Sequence, residues 1–368
     1  MLKLGIITMN EYYNYGNKLQ AYALQHFLQT IFRGSDVQFV SFVKDNYILS
    51  ERFFSLKFLR RWILNRHDYR KLVNTNQIFA NVLKEYNSKK FTYKYMQKHF
   101  NYFISKELNN VFDFFIIGSD QIWNPSYGKF SELEAGLQLK KNKRISYAAS
   151  IGLNELNKQQ EEILKKALDN TAHISVREIR GADLVEKITG KRPFVHIDPT
   201  MLLTQEEWLA IAEKPYWFDD IGKYLFVYCL DGISQVAKKK IDYYSKKYDL
   251  KVIDIMDKSD MDIYASDPAE FVWLIKNAAL VITNSFHGSV FSIIMGTPFL
   301  TFNRSDGKIN MNSRIETLAD TFKLHERFNN DSISDDDVFN PNYSDVERIL
   351  KIERDRSISY LKGAIEGV

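Results

Sequence analysis

Short apolar runs alternate with amphipathic stretches from one end of this chain to the other, and this alternation constrains the fold more than any other feature. Leu2–Met9, Val37–Phe42, Phe112–Gly118, Arg144–Ser150 and His173–Glu178 read as buried strands. After a break near Asp198-Pro199 a second series follows at Lys223–Leu230, Lys251–Met256, Leu280–Thr283 and Phe299–Phe302. Helical patterns separate them, such as Asn17–Ile31 and Asp267–Ala278, the latter with Asp267 as cap and Pro268 in its first turn. Strand–helix alternation of this kind argues for parallel sheets covered on both faces, an α/β fold.

A chain of 368 residues is too long for one ordinary core. The topology divides it into an α/β unit over residues 1–195, which carries a helical insertion at about 43–108. A second α/β unit spans 196–345, and a terminal helix over 346–368 crosses back to the first. Two Rossmann-like units then face one another across a cleft at the carboxyl ends of both sheets.

Composition narrows the class. Hydrophobic residues at 45% and charged residues at 26% suit a globular protein in water. No apolar run approaches the roughly 20 residues of a membrane span, and the opening MLKLGIITMN reads as a first strand rather than a leader. The lone Cys229 cannot form an internal disulfide, which favours a reducing cytoplasm. No CxxC or HExxH spacing is present, so no metal is expected. Nor is there a GxGxxG fingerprint, a GxxxxGK[ST] loop or a GxSxG elbow, and no bound cofactor is expected.

The net charge of +4 is spread unevenly: between Phe42 and Ser105, thirteen Lys and Arg stand against four Asp and Glu. Within that stretch Ser50–Arg66 has the pattern of a basic-aromatic amphipathic helix. Such a helix lies on an anionic membrane surface, or packs on its own domain with Lys and Arg stems over apolar surface. No RNA- or DNA-reading module accompanies it, so nucleic acid is not an expected partner.

In parallel sheets the loops that follow strands converge on the cleft, and chemistry belongs there. After Thr283 come Asn284, Ser285, Phe286, His287, Gly288 and Ser289, leading into a helix from about Gly288 to Met295. A helix start aims backbone N–H groups and a positive dipole end at one point, which suits phosphate or carboxylate. A histidine there can move a proton near neutral pH, or merely cap the helix. Arg177 ends an apolar strand, where a guanidinium grips an anion with two parallel bonds or pairs with Glu178. Asp120 lies in the loop Gly118-Ser119-Asp120-Gln121-Ile122-Trp123-Asn124-Pro125. A carboxylate with an aromatic ring holds a sugar, and equally well forms an Asx-turn beside a core Trp. After the first strand, Asn14, Tyr15, Gly16 and Asn17 form a turn into a helix. Arg304 and Lys308, past the last strand, add positive charge near His287 or are simply solvated.

The segments NYGNKLQA, IIGSDQIWNP, YAASIG, ISVRE, DPT and TNSFHG followed by GTPF and NSRIETL, in this order, resemble the polysaccharide pyruvyl transferases. The resemblance covers most of the chain but neither the basic-aromatic insertion nor the last forty residues. It implies a two-domain fold similar to the type B glycosyltransferases. It also implies transfer of the enolpyruvyl carbons of phosphoenolpyruvate, as donor substrate, onto two hydroxyls of a sugar, forming a ketal. On this resemblance His287 is the acid, with Asp120 orienting or deprotonating the acceptor hydroxyl. Arg177, Asn284, Ser285, Gly288, Ser289, Arg304 and Lys308 form the donor side. Asn14, Tyr15, Asn17, Trp123 and Asn124 form the acceptor side.

One departure stands out. Many members carry Ser-Arg-x-His where this chain has Asn284-Ser285-Phe286-His287, so Ser285 occupies an arginine position. A missing charge-assisted contact costs roughly 1.5–3 kcal/mol unless another cation substitutes. Arg304, Lys308 and Arg314 are the sequence candidates.

The expected function is therefore pyruvyl transfer to a lipid-linked sugar of a surface polysaccharide or exopolysaccharide, in the cytoplasm or at the inner face of the membrane. The alternatives are a glycosyltransferase that uses a nucleotide sugar on the same scaffold and a non-catalytic carbohydrate-binding protein of the same pathway.

Overall fold

A computed structural model of the chain describes residues 1–9, 13–41, 77–96, 99–101, 105–126, 136–219, 222–304 and 313–367. The basic-aromatic segment Ser50–Arg66 and Lys308 lie outside the described residues.

Strands β1 (Lys3–Ile7), β2 (Asp36–Ser41), β3 (His99–Asn101), β4 (Phe114–Ile117) and β5 (Arg144–Ser146) form a parallel sheet in the order β3-β2-β1-β4-β5. A parallel pair, β6 (Ser175–Val176) and β7 (Phe194–Val195), extends it through bridges from Ile145 to His173 and from Ala149 to Val176. Strands β8 (Tyr224–Tyr228), β9 (Lys251–Asp254), β10 (Leu280–Thr283) and β11 (Phe299–Thr301) form a second parallel sheet in the order β11-β10-β8-β9. Every residue of β8 and β10 is buried, as expected of apolar strands covered on both faces.

Strand order reverses between β1 and β4 in the first sheet and between β8 and β10 in the second. In open α/β sheets the crevice at such a reversal, outside the carboxyl ends of the strands, is where ligands bind. The loops that begin at Thr8, Gly118, Cys229 and Asn284 therefore face the functional region.

The helix Tyr15–Ile31 holds the two sheets together. Thirteen of its seventeen residues are buried, including Lys18, Gln20 and Gln25, so it is enclosed rather than laid on a surface. Its start is set by Asn14, whose side chain accepts hydrogen bonds from the N–H groups of Gly16 and Asn17. The Tyr15 ring stacks on Phe271 with centroids 4.7 Å apart, and its hydroxyl donates to the Ser266 carbonyl at 2.9 Å. One apolar cluster runs from Leu4, Leu19 and Leu24 of the first half to Phe226, Phe271 and Phe291 of the second. An interface this apolar holds two halves in a fixed relation.

The helix Val346–Glu366 lies against the first sheet. Tyr360 donates its hydroxyl hydrogen to the Ser146 carbonyl at 2.8 Å, and Tyr147 donates to Ser357 Oγ at 3.0 Å. Arg354 donates to the carbonyls of Met201 and Leu203, both at 2.9 Å. Among the described residues no helix is long and apolar enough to cross a membrane.

Candidate active site

Four loops deliver a buried charged cluster to the junction of the two sheets. After β4 the chain turns at Gly118, where φ is +135° and an added Cβ would lie 2.1 Å from the Tyr147 carbonyl oxygen. This tight turn carries Asp120 inward. Arg177 follows β6, and Asp198 follows β7 at the start of a single 3₁₀ turn, Pro199–Met201. His287 is the second residue of the helix Phe286–Met295, which follows β10.

Arg177 Nη1 donates to Asp198 Oδ2 at 2.5 Å, and its Nη2 donates to Asp120 Oδ1 at 3.1 Å. His287 Nε2 lies 3.5 Å from Asp198 Oδ2, and Arg314 Nη1 lies 3.8 Å from Asp120 Oδ1. The Asn17 amide donates to Asp120 Oδ2. The Phe286 ring carries the Arg177 guanidinium at 4.3 Å and the Arg314 guanidinium at 6.0 Å from its centroid. Each of these side chains is buried.

The charges set one another's protonation. Burial alone would push the Asp198 carboxyl up. His287 and Arg177 beside it, with the hydrogen bond from the Thr200 N–H, hold it far below the usual carboxylate range. Burial opposes ionisation of Asp120 too, yet Arg177, His287 and Arg314 keep its pKa low. Arg177 is raised because Asp198, Asp120 and Glu178 outweigh its burial. Arg314 is pushed down to about 10 by burial and by Arg177, with Asp120 as partial compensation.

Because the folded pKa of each aspartate is depressed, each contributes stability that is fully present above the unfolded value near ~4. That stability is lost as pH falls through the folded value. Urea titrations across pH are expected to show wild-type stability declining below about pH 4, with a shallower decline in Asp198→Asn.

Gly16 fixes the place of His287. A Cβ at Gly16 would lie 2.0 Å from His287 Nδ1, so the imidazole rests directly on the first turn of the helix Tyr15–Ile31. Gly16→Ala is expected to displace the ring and lower turnover by about 100-fold, the effect of a misplacement near 1 Å. A matching loss in kcat with little change in donor binding would confirm it.

The structure brings His287, Asp120, Arg177 and Asn17 together and assigns other work to several expected site residues. Asn284 braces the loop after β8: its Oδ1 accepts from Leu230 N at 2.7 Å, and its Nδ2 donates to the Leu230 and Gly232 carbonyls. The second helix starts at Phe286, two residues before the expected Gly288. Ser289 N–H is consequently committed to the Ser285 carbonyl at 3.1 Å, and Ser289 Oγ pairs with Thr301 Oγ1 at 2.7 Å. Ser289 therefore has no donor left for an anion, and the N–H groups of the first turn belong to Phe286, His287 and Gly288. Gly288 packs on Thr283, whose Oγ1 would lie 2.4 Å from an added Cβ. Ser285 is buried at the N-cap without a side-chain capping bond.

On the acceptor side, Trp123 is fully buried and offers no face for a sugar. Asn124 donates to Gln121 Oε1 at 2.6 Å, Asn14 is a helix cap, and Tyr15 is packed on Phe271. These four support the fold around the site.

The cations separate in the same way. Arg304 pairs with the exposed Asp231 at 2.8 Å, whereas Arg314 pairs with Asp120 of the cluster. Sequence reasoning gave Asp198 no chemical role. The signal available was an Asp-Pro-Thr turn directly after an apolar run, where Asp198 Oδ1 accepts from Thr200 N and Oγ1.

The family model for polysaccharide pyruvyl transferase matches residues 14–306. No curated protein matches significantly. Among solved structures, a Listeria monocytogenes protein assigned as a UDP-N-acetylglucosamine 2-epimerase is similar, with a TM-score of 0.53 and 10% identity over 100% of this chain and 97% of that one. The Methanocaldococcus jannaschii UDP-GlcNAc 2-epimerase gives a TM-score of 0.47 at 15% identity, covering 95% of this chain and 99% of that one. The glycosyltransferase SnogD from Streptomyces nogalater gives 0.39 at 11% identity, covering 100% and 98%. The fold is the two-domain α/β arrangement of the type B glycosyltransferases. With most of its length matched, the chain belongs to the polysaccharide pyruvyl transferase family and is a transferase.

Proposed function

We propose that this transferase moves the three carbons of the enolpyruvyl group from phosphoenolpyruvate to two hydroxyls of a sugar, within a lipid-linked precursor of a surface polysaccharide. The observation that carries the reading is the convergence of His287 with two guanidiniums, Arg177 and Arg314, at the carboxyl ends of both sheets. A donor with a carboxylate and a phosphate needs that charge, and its methylene needs an acid.

In this reading His287 gives its proton to the methylene carbon, making a methyl group and an oxocarbenium-like carbon at C2. A sugar hydroxyl adds to C2 and gives up its proton to Asp120. The phosphate then leaves, a second hydroxyl adds, and the ketal closes with its proton passing to phosphate. Asp198, 3.5 Å from Nε2, keeps the imidazole oriented. Arg177 and Arg314 exchange their aspartate partners for the donor's anionic groups, and Arg314 supplies the charge that Ser285 lacks.

The reading carries with it a cytoplasmic location. Contact with the inner membrane face through Ser50–Arg66 is tested by vesicle flotation with and without anionic lipid.

Calorimetry on the purified chain tests the donor. Binding of phosphoenolpyruvate that weakens by about 10-fold or more in Arg314→Gln supports the reading. Tight binding of a nucleotide sugar with no response to phosphoenolpyruvate would replace it with glycosyl transfer.

A further inference from the structure

The helix Gln77–Tyr95 belongs to the insertion of the first half, yet it is bonded to the second. Tyr264 donates its hydroxyl hydrogen to Asn81 Oδ1 at 2.9 Å, and the Asn87 amide donates to the Ala265 carbonyl at 2.6 Å. Near the end of the helix, Tyr95 donates to Glu213 Oε1 at 2.5 Å.

Among these bonds stands Lys84. It is 2% exposed, and its Nζ has no hydrogen-bond partner among the described residues. The ammonium lies over two rings instead, 4.2 Å from the Tyr15 centroid and 4.3 Å from the Tyr264 centroid. Tyr15 opens the helix Tyr15–Ile31 of the first half, and Tyr264 ends the single turn Met261–Tyr264 of the second. The other neighbours are apolar: Ala80 and Met261 pack with Tyr264, and Phe79 and Leu83 lie against them. The faces of the two rings are therefore the partners this charge has, and attraction to a ring face is strongest where water is excluded. Burial and Lys258 push the Lys84 pKa down to about 7, so the charged form predominates in mildly acid solution.

Three consecutive residues connect this clasp to the chemistry. Tyr15 faces Lys84, and Gly16 supports the His287 ring, where a Cβ would lie 2.0 Å from Nδ1. Asn17 donates to Asp120 Oδ2. The three form the first turn of one helix, so a displacement of Tyr15 carries with it the seat of the imidazole and a partner of Asp120.

We infer that Lys84 is a positioning residue: its ammonium, clasped between Tyr15 and Tyr264, sets the turn Tyr15–Asn17 beneath His287 and beside Asp120. Its effect on turnover rests on the proposed reaction; its effect on the imidazole does not.

The test follows the His287 ring signals by NMR in the full chain at pH 6, for wild type, Lys84→Met, Tyr264→Leu and Tyr264→Phe, each first checked by circular dichroism. Methionine fills the space of lysine without its charge. Leucine removes the ring face, whereas phenylalanine keeps the face and loses only the bond to Asn81. Lys84→Met and Tyr264→Leu are expected to move the His287 signals, their combination no further than Lys84→Met alone, and Tyr264→Phe to leave them in place. With phosphoenolpyruvate and a sugar acceptor, kcat is expected to fall about tenfold in Lys84→Met while donor affinity stays within about twofold of wild type. Unmoved His287 signals in folded Lys84→Met, or equal movement in Tyr264→Phe and Tyr264→Leu, overturn the positioning role. Should Lys84→Met fail to fold, the two Tyr264 variants decide alone. If the signals move as expected but wild type pyruvylates no sugar, the positioning role stands and the proposed reaction falls. If wild type pyruvylates a sugar and folded Lys84→Met does so with the same kcat, the reaction stands and the positioning role falls.

Discussion

Arg177→Leu is expected to destabilise the protein by about 3–5 kcal/mol, the cost of leaving buried charge without its partner. Asp198 and Asp120 both lean on this guanidinium, at 2.5 and 3.1 Å, and water reaches none of the three side chains appreciably. Lysine should restore only part of the loss, because a point charge cannot serve two carboxylates as a planar fork does.

The pH dependence should flatten as well. The variant loses one of the cations that hold the carboxyls down, while His287 beside Asp198, and His287 and Arg314 beside Asp120, remain. The folded carboxyl pKa values then move up toward the unfolded value, and the stability that is lost as pH falls through them shrinks. Wild type should weaken on acidification more steeply than the variant. Arg177→Leu combined with Asp198→Asn should recover part of the stability, since it removes one uncompensated charge. Urea denaturation at two pH values measures all of this, and a loss below about 1 kcal/mol would show that the cluster matters little to folding.

His287→Ala is expected to lower kcat by about 10²–10⁴-fold, the usual contribution of a positioned general acid. The imidazole is buried between Asp198 and the backbone of Gly16, so no neighbouring side chain takes its place. Donor affinity should change far less, because the guanidiniums of Arg177 and Arg314 hold the anion. A kcat loss without a comparable loss of phosphoenolpyruvate binding separates proton donation from simple disruption of the site. Asp198→Asn should fall between wild type and His287→Ala in kcat, since it weakens orientation without removing the acid. It should also alter the pH profile of kcat, which loss of a purely structural residue would not do.

Much of this arrangement was legible in the residues. β10 was read at its observed limits because an apolar run ends abruptly at Asn284-Ser285. The helix Pro268–Asn277 announced itself through the Asp267 cap and Pro268, and Glu270 closes a capping box there. His287, Asp120 and Arg177 were found because each lies just past a strand in a parallel sheet, where side chains of the crevice must come from.

What was missed has physical reasons. β3 and β7 are three and two residues long, too short for a periodic signal. Phe286 reads as a loop aromatic, yet it opens the helix, because its ring is needed beneath two guanidiniums. Asn14, Asn124 and Asn284 look like ligand-binding amides, but Asn14 accepts from the backbone of its own turn, Asn284 hydrogen-bonds the backbone of the loop after β8, and Asn124 bonds the Gln121 side chain. Asp198 received no chemical role because it meets Arg177 and His287 only through folding, which no local pattern announces.

The most direct test of the central claim is phosphate release from phosphoenolpyruvate by the purified protein, assayed with a panel of lipid-linked sugars while the acceptor is followed for a new ketal methyl group by NMR. The account predicts sugar-dependent release, one phosphate for each ketal formed, and its near-complete loss in His287→Ala. Full activity in His287→Ala, or no phosphate from phosphoenolpyruvate with any sugar alongside turnover of a nucleotide sugar, would contradict it.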